Sequence, residues 1–226
     1  MKTWIPNALT SLNLVFGVFA ILTVFQGDFI LAAYFVVAAL VADSLDGRAA
    51  RYFGVSGEFG KELDSLCDLG SFGVAPAVMA YAFMLKDFGW SGFIVAAFFA
   101  CCGAFRLARF NVNVSNVKGY FMGLPIPAGG AVIATFIMMQ YRAPGWFFPL
   151  FVVFVGYLMV SKVKYPDFKG HGEKIKPAPV ILTLLTVGTL LFFRPDSWLF
   201  APFFAFMLFG LINCLFASKQ GMSQKG

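Results

Sequence analysis

Asp43, Asp46, Asp64 and Asp68 are four of only 11 acidic residues in a chain of 226, and all four fall at or just inside the edge of long apolar runs. A carboxylate in such a place is costly unless it has a partner, so it is a candidate functional residue by default. Asp43, Asp46, Gly47, Ala50 and Arg51 follow at i, i+3, i+4, i+7 and i+8, which is one face of a helix. Asp64 and Asp68 are i and i+4 on the next helix. If the two helices run antiparallel across a short turn, a rise of about 1.5 Å per residue puts Asp43 about 12 Å above Arg51 and Asp68 about 12 Å above Gly60, with Asp46 and Asp64 lower at about 6–8 Å. The four carboxylates are therefore expected to converge. Four anions in one pocket do not all ionise unaided. Oxygen donors without His or Cys suit a hard cation such as Mg²⁺, Mn²⁺ or Ca²⁺, and Mg²⁺ usually works together with substrate phosphates. Gly47 and Ala50 leave room for a ligand to approach the backbone, and Arg51 can fork onto a phosphate. Small residues also let helices pack, so these two gain chemical meaning only from the acids and the arginine beside them.

The elements that must hold these residues are membrane helices. Hydrophobic residues make up 60% of the chain, including 30 Phe, and only 12% are charged, against about 25% in soluble domains. Mean hydropathy is +0.81. Such a composition excludes a soluble enzyme, a disordered chain and a disulfide-stapled secreted domain. Continuous apolar runs without period-2 alternation favour helices over a barrel. The runs predict an all-α polytopic membrane protein with about eight transmembrane helices, near 8–25, 29–51, 60–85, 90–110, 127–142, 145–161, 178–193 and 197–217. Lys2 followed by an apolar run imitates a signal peptide, but no small-residue cleavage site precedes the next span, so the run is read as the first helix.

Of the 17 Lys and Arg, all but Lys86, Arg142 and Arg194 fall on the side of the N-terminus in this plan. The positive-inside rule then puts both termini in the cytoplasm. Trp90, Trp146 and Trp198 would start helices at the outer face, and Trp4 sits at the inner one. The net charge of +6 reads as loops facing anionic lipid rather than as a nucleic-acid surface. The longest loops, 111–126 and 162–177, are both cytoplasmic, and the second is Lys-rich. Cys67, Cys101, Cys102 and Cys214 are expected to pack as small buried hydrophobes. The lone histidine, His171, excludes a multi-His zinc site. Without an internal repeat, an inverted-repeat transporter gains no support. A cation pathway lined by the aspartates would explain the acids, but not Gly47, Arg51 or the spacing.

The run D-x2-D-G-x2-A-R-x8-G-x3-D-x3-D, with all its fixed positions present at Asp43, Asp46, Gly47, Ala50, Arg51, Gly60, Asp64 and Asp68, resembles the signature of the CDP-alcohol phosphotransferases. Ser71-Phe-Gly-Val-Ala-Pro76, Arg106-Leu-Ala-Arg109-Phe-Asn111, Gly123-Leu-Pro-Ile-Pro127 and the opening Pro6-Asn7-Ala-Leu-Thr10-Ser-Leu-Asn13 look like the serine-using branch of bacteria and archaea. The resemblance covers about 5–130 as a catalytic core within a single membrane domain, 1–226, with additional helices over about 145–217.

This resemblance implies an integral enzyme of the plasma membrane with its active site facing the cytoplasm. It would move the phosphatidyl group of CDP-diacylglycerol to L-serine, releasing CMP, and work as a homodimer among membrane lipids. Two divalent cations, Mg²⁺ or Mn²⁺, would sit on Asp43, Asp46, Asp64 and Asp68, with Asp68 also the base for the acceptor hydroxyl. Asn7, Thr10, Asn13, Gly47, Ala50, Arg51, Gly57 and Gly60 would contact the CDP-lipid. Arg106 and Arg109, i and i+3 at the inner end of the fourth helix, are candidates for the serine carboxylate or a phosphate; the alternative is ordinary positive-inside anchoring. A sibling enzyme using glycerol 3-phosphate or inositol phosphate is the rival within the family.

Overall fold

The computed structural model describes residues 4–55, 57–113, 120–142, 144–166 and 177–223. Nine α-helices appear among them: α1 (Trp4–Phe25), α2 (Phe29–Phe53), α3 (Glu58–Asp68), α4 (Ala75–Phe83), α5 (Trp90–Asn113), α6 (Ile126–Met138), α7 (Phe147–Val160), α8 (Pro177–Phe193) and α9 (Phe200–Ser223). A π-helical turn, Leu69–Val74, joins α3 to α4 into one rod over Glu58–Phe83. That rod, α1, α2 and α5 are long and apolar enough to cross a membrane; α6 to α9 supply shorter apolar stretches. The fifth span ends at Met138 rather than at 142, because the chain turns there and Gln140 takes a positive φ. His171 and the greater part of the Lys-rich loop lie outside the described residues.

Helices α1 and α2 pack through small residues. Pro6, Thr10, Asn13, Gly17, Ala20 and Val24 form a buried stripe on α1, and Ala32, Ala33, Val36, Ala39, Ala42 and Asp46 form one on α2. Between helices in lipid such stripes are favourable because they let backbones approach and gain dispersion contacts. At the other extreme α6 is buried along nearly its whole length, from Ile126 to Ile137. It passes so close to the π-turn that a Cβ on Gly130 would lie 2.6 Å from the Phe72 carbonyl oxygen. Outward faces stay apolar: Leu12, Val15, Val18, Phe19 and Leu22 on α1, and Ile181, Leu184 and Leu185 on α8, are all exposed. Water would penalise that surface; acyl chains do not.

Two local devices set the geometry near the aspartates. Gly54 ends α2 with φ 64°, and Val55 N–H donates to the Ala50 carbonyl (3.1 Å), a left-handed cap that stops the helix and frees the chain for the short turn into α3. Pro76 causes the second. It has no N–H, so the ladder ahead of it slips by one residue and the Ala75 N–H bonds back to the Gly70 carbonyl.

The two long loops are not irregular throughout. β1 (Tyr120–Met122) and β2 (Lys164–Pro166) pair antiparallel, Phe121 opposite Tyr165. Tyr165 is fully buried, with its ring against Gly210 of α9. The cysteine expectation holds for Cys67 and Cys102 only. Cys214 is part-buried, and Cys101 is exposed on the outer face of α5, where lipid accepts it as readily as a protein core would.

Candidate active site

Asp43 from α2 and Asp64 and Asp68 from α3 each offer an oxygen, and these oxygens all lie within 4.8 Å of one another. Asp68 is buried, the other two half-buried. Asp46 stands outside this triplet but is a charge neighbour of Asp43 and Asp64. It is buried, and among the described residues its Oδ2 has no hydrogen-bond partner. An oxygen-only donor set with an orphaned buried carboxylate oxygen fits divalent cations of the hard class. The fit is chemical: like charges this close repel, and a cation between them removes the repulsion.

Beside the triplet, α1, α2 and α3 enclose a cavity of about 640 Å³. Asn7 and Thr10 line it from α1, Asp46, Gly47 and Ala50 from α2, and Gly57, Gly60 and Asp64 from the start of α3. Its volume is that of a small-molecule site. The Arg51 guanidinium lies next to Gly47, 3.6 Å from where a Cβ would stand, without itself forming the wall. Asn13 is not part of the wall either. It is fully buried, and its Nδ2 donates to Asp68 Oδ1 at 3.1 Å.

Arg106 and Arg109 diverge. Arg106 is buried, stacks over the Phe110 ring at 5.1 Å, and has Asp68 and Asp43 as charge neighbours. Arg109 turns instead toward the end of α7 and the β1 strand. Its Nη1 donates to the Val160 carbonyl (2.8 Å), and its Nη2 reaches the carbonyls of Met122 (2.8 Å), Ser161 (3.1 Å) and Met159 (3.2 Å). It thus closes the end of α7 and the β1 strand around one guanidinium.

Several residues at the site carried no prior assignment. Pro6, Gly54, Val55, Phe59 and Lys61 also line the cavity. Lys61 and Phe59 flank Gly60 in the motif, so their position one residue away was the available signal. Lys61 Nζ donates to the Asn111 carbonyl (3.3 Å), and Asn111 Nδ2 donates to Ser65 Oγ (2.9 Å), which fastens α3 to α5 below the aspartates. Ser71, in the π-turn, donates to the Asn13 carbonyl at 2.9 Å.

The sequence is similar to known proteins over most of its length. Residues 3–158 match the profile of the CDP-alcohol phosphatidyltransferase family. A Helicobacter pylori protein named CDP-diacylglycerol–serine O-phosphatidyltransferase is 35% identical over 218 residues, 93% of this chain and 91% of its own. A Bacillus subtilis protein of the same name is 33% identical, covering 76% of this chain and 94% of its own. An archaetidylserine synthase of Methanothermobacter thermautotrophicus is 37% identical, covering 74% and 72%.

Proposed function

The chain belongs to the CDP-alcohol phosphatidyltransferase family, and from that membership we propose that it transfers the phosphatidyl group of CDP-diacylglycerol to the hydroxyl of L-serine, giving phosphatidylserine and CMP. The observation that carries this reading is the convergence of Asp43, Asp64 and Asp68 beside a 640 Å³ cavity, with Arg106 buried on α5 as a charge neighbour of Asp43 and Asp68. The relatives' names support serine as the acceptor.

Asp43, Asp46, Asp64 and Asp68 would hold two divalent cations, Mg²⁺ or Mn²⁺. Such ions, when bound, neutralise a pyrophosphate and make CMP a competent leaving group. The protein's own residues do the rest. Asn7, Thr10, Gly47, Ala50, Gly57 and Gly60 shape the cavity that receives the CDP portion, and Arg51 stands at Gly47 to pair with a phosphate. Arg106 forks onto the serine carboxylate, a geometry that a planar guanidinium serves better than an ammonium. That places the serine hydroxyl near Asp68, which takes its proton as the new O–P bond forms and the bond to CMP breaks. A positioned base of this kind contributes about 10²–10⁴-fold.

The charge asymmetry of the loops supports eight spans with both termini and the site on the cytoplasmic side of the plasma membrane. The catalytic core is the stretch 5–130 of a single membrane domain, and the enzyme acts as a homodimer. A nucleotide arrives from the cytoplasm and acyl chains stay in lipid, so a site at the inner interface serves both.

Two variants test the assignments. Arg106→Ala is expected to raise KM for serine about tenfold or more, as loss of a charged hydrogen-bonded pair would. KM for CDP-diacylglycerol should stay within about twofold, measured by CMP release in detergent micelles. An unchanged KM for serine removes Arg106 from the acceptor site. Gly47→Val is expected to fold, since a Cβ there meets only the movable Arg51 side chain. It fills the cavity wall, so KM for CDP-diacylglycerol should rise about tenfold while the unfolding midpoint is unchanged. Normal KM in this variant would move the nucleotide elsewhere.

A further inference from the structure

The nucleotide-contact role that resemblance gives to Asn13 does not match where its side chain goes. The amide is fully buried, lies off the cavity wall, and spends its Nδ2 on Asp68 Oδ1 at 3.1 Å, across 55 positions of sequence. Its Oδ1 is buried without a partner among the described residues. The backbone of the same residue is held independently: Ser71 Oγ donates to the Asn13 carbonyl at 2.9 Å. One turn further along α1, a Cβ on Gly17 would lie 2.5 Å from Ser71 Oγ and 2.7 Å from its Cα, so only glycine permits this contact. The π-turn begins directly after Asp68, and Ser71 lies within it. The insertion that Pro76 forces therefore carries Ser71 onto α1, and α1 in turn carries the amide to Asp68.

We propose that Asn13 is a positioning residue for Asp68. Its amide fixes the carboxylate rotamer by occupying Oδ1, which leaves Oδ2 for the reacting partners, and Ser71 holds Asn13 in register through its main chain. An isolated carboxylate among other carboxylates would swing away from them; the Asn13 donor opposes that at the cost of burying an amide whose oxygen has no partner. Retaining so costly a group is understandable where it orients a reactive side chain.

This inference rests on the role given to Asp68 above, so its test includes a readout independent of turnover. Asn13→Leu keeps the branched shape, though with more volume, and removes the donor; Asn13→Gln keeps an amide on a longer stem; Ser71→Ala removes the backbone tether. In Asn13→Leu, kcat for CMP release and Mn²⁺ affinity by titration should each fall about 10–100-fold, the usual cost of removing a group that orients a ligand. KM for CDP-diacylglycerol should stay within about twofold, because the cavity wall is untouched. Asn13→Gln should recover part of the loss, and Ser71→Ala should show the same pattern at a few-fold. A raised KM for CDP-diacylglycerol with normal kcat and Mn²⁺ affinity would overturn the proposal in favour of a nucleotide contact. So would a lowered unfolding midpoint with unchanged Mn²⁺ affinity, which marks mere packing. Should Asn13→Leu fail to fold, Asn13→Gln and Ser71→Ala decide by the same criteria. If the unsubstituted protein releases no CMP with any alcohol, the activity reading falls, and the Mn²⁺ titration alone decides for or against Asn13.

Discussion

Replacing Asp68 by Asn lowers CMP release by about 10³-fold or more, while the protein still folds and inserts. The size follows from two losses in one atom: the base, worth about 10²–10⁴-fold, and one of the three oxygens of the triplet. Folding is spared for a local reason. The amide oxygen of an asparagine at 68 still accepts from Asn13 Nδ2, the contact Asp68 makes at 3.1 Å, and the substitution removes a buried charge from a crowd of like charges. Asp28→Asn is the matched control. Asp28 caps α2 at its other end by accepting from the Leu31 N–H at 2.9 Å. An Asn caps nearly as well as an Asp, so both rate and stability should be normal there. A fall of less than about tenfold for Asp68→Asn would be too small for a base and would remove Asp68 from proton transfer.

Arg109→Leu destabilises the bundle by about 3 kcal/mol, read from denaturant unfolding in micelles. The guanidinium donates to the carbonyls of Met122, Met159, Val160 and Ser161. Its loss leaves the end of α7 without its main capping group and loosens the segment leading into β2. Arg109→Lys should restore only part of this, because a single ammonium cannot fork over four acceptors as a planar guanidinium does. Serine KM should be unchanged in Arg109→Lys. Together with Arg106→Ala this forms a double dissociation between neighbours i and i+3: one affects the acceptor, the other the fold. A normal unfolding midpoint with raised serine KM for Arg109→Leu would exchange their roles.

That pair marks where sequence reasoning reached its limit. The spacing of Asp43, Asp64 and Asp68 was enough to predict their convergence, because a helix face and an antiparallel turn are local rules and Gly54 supplies the turn. The same rules put Arg106 and Arg109 on nearby faces of one helix, and which of them looks at the aspartates depends on where α7 ends. That is a tertiary fact about residues some fifty positions away. The π-turn was hidden for a similar reason: Pro76 fell inside the helix read over 60–85, and a proline within a helix is met either by a kink or by a slip of the ladder, which spacing does not choose between. The β1–β2 ribbon has three residues per strand within polar loops, too few to show alternation. Asp46 stands at the edge of the group: it lies outside the triplet, remains a charge neighbour of Asp43 and Asp64, and shares the cavity wall with Asp64.

Transfer to serine is read by giving the purified protein CDP-diacylglycerol, Mn²⁺ or Mg²⁺ and labelled L-serine in micelles, and measuring label in the lipid phase together with CMP. Lipid-bound serine and CMP should form in equal amounts, both lost on chelation and both restored by adding the ion. CMP released equally without serine, or only with glycerol 3-phosphate or inositol phosphate, would contradict serine as the acceptor. Ion flux in liposomes with no CMP under any condition would contradict the transferase reading itself.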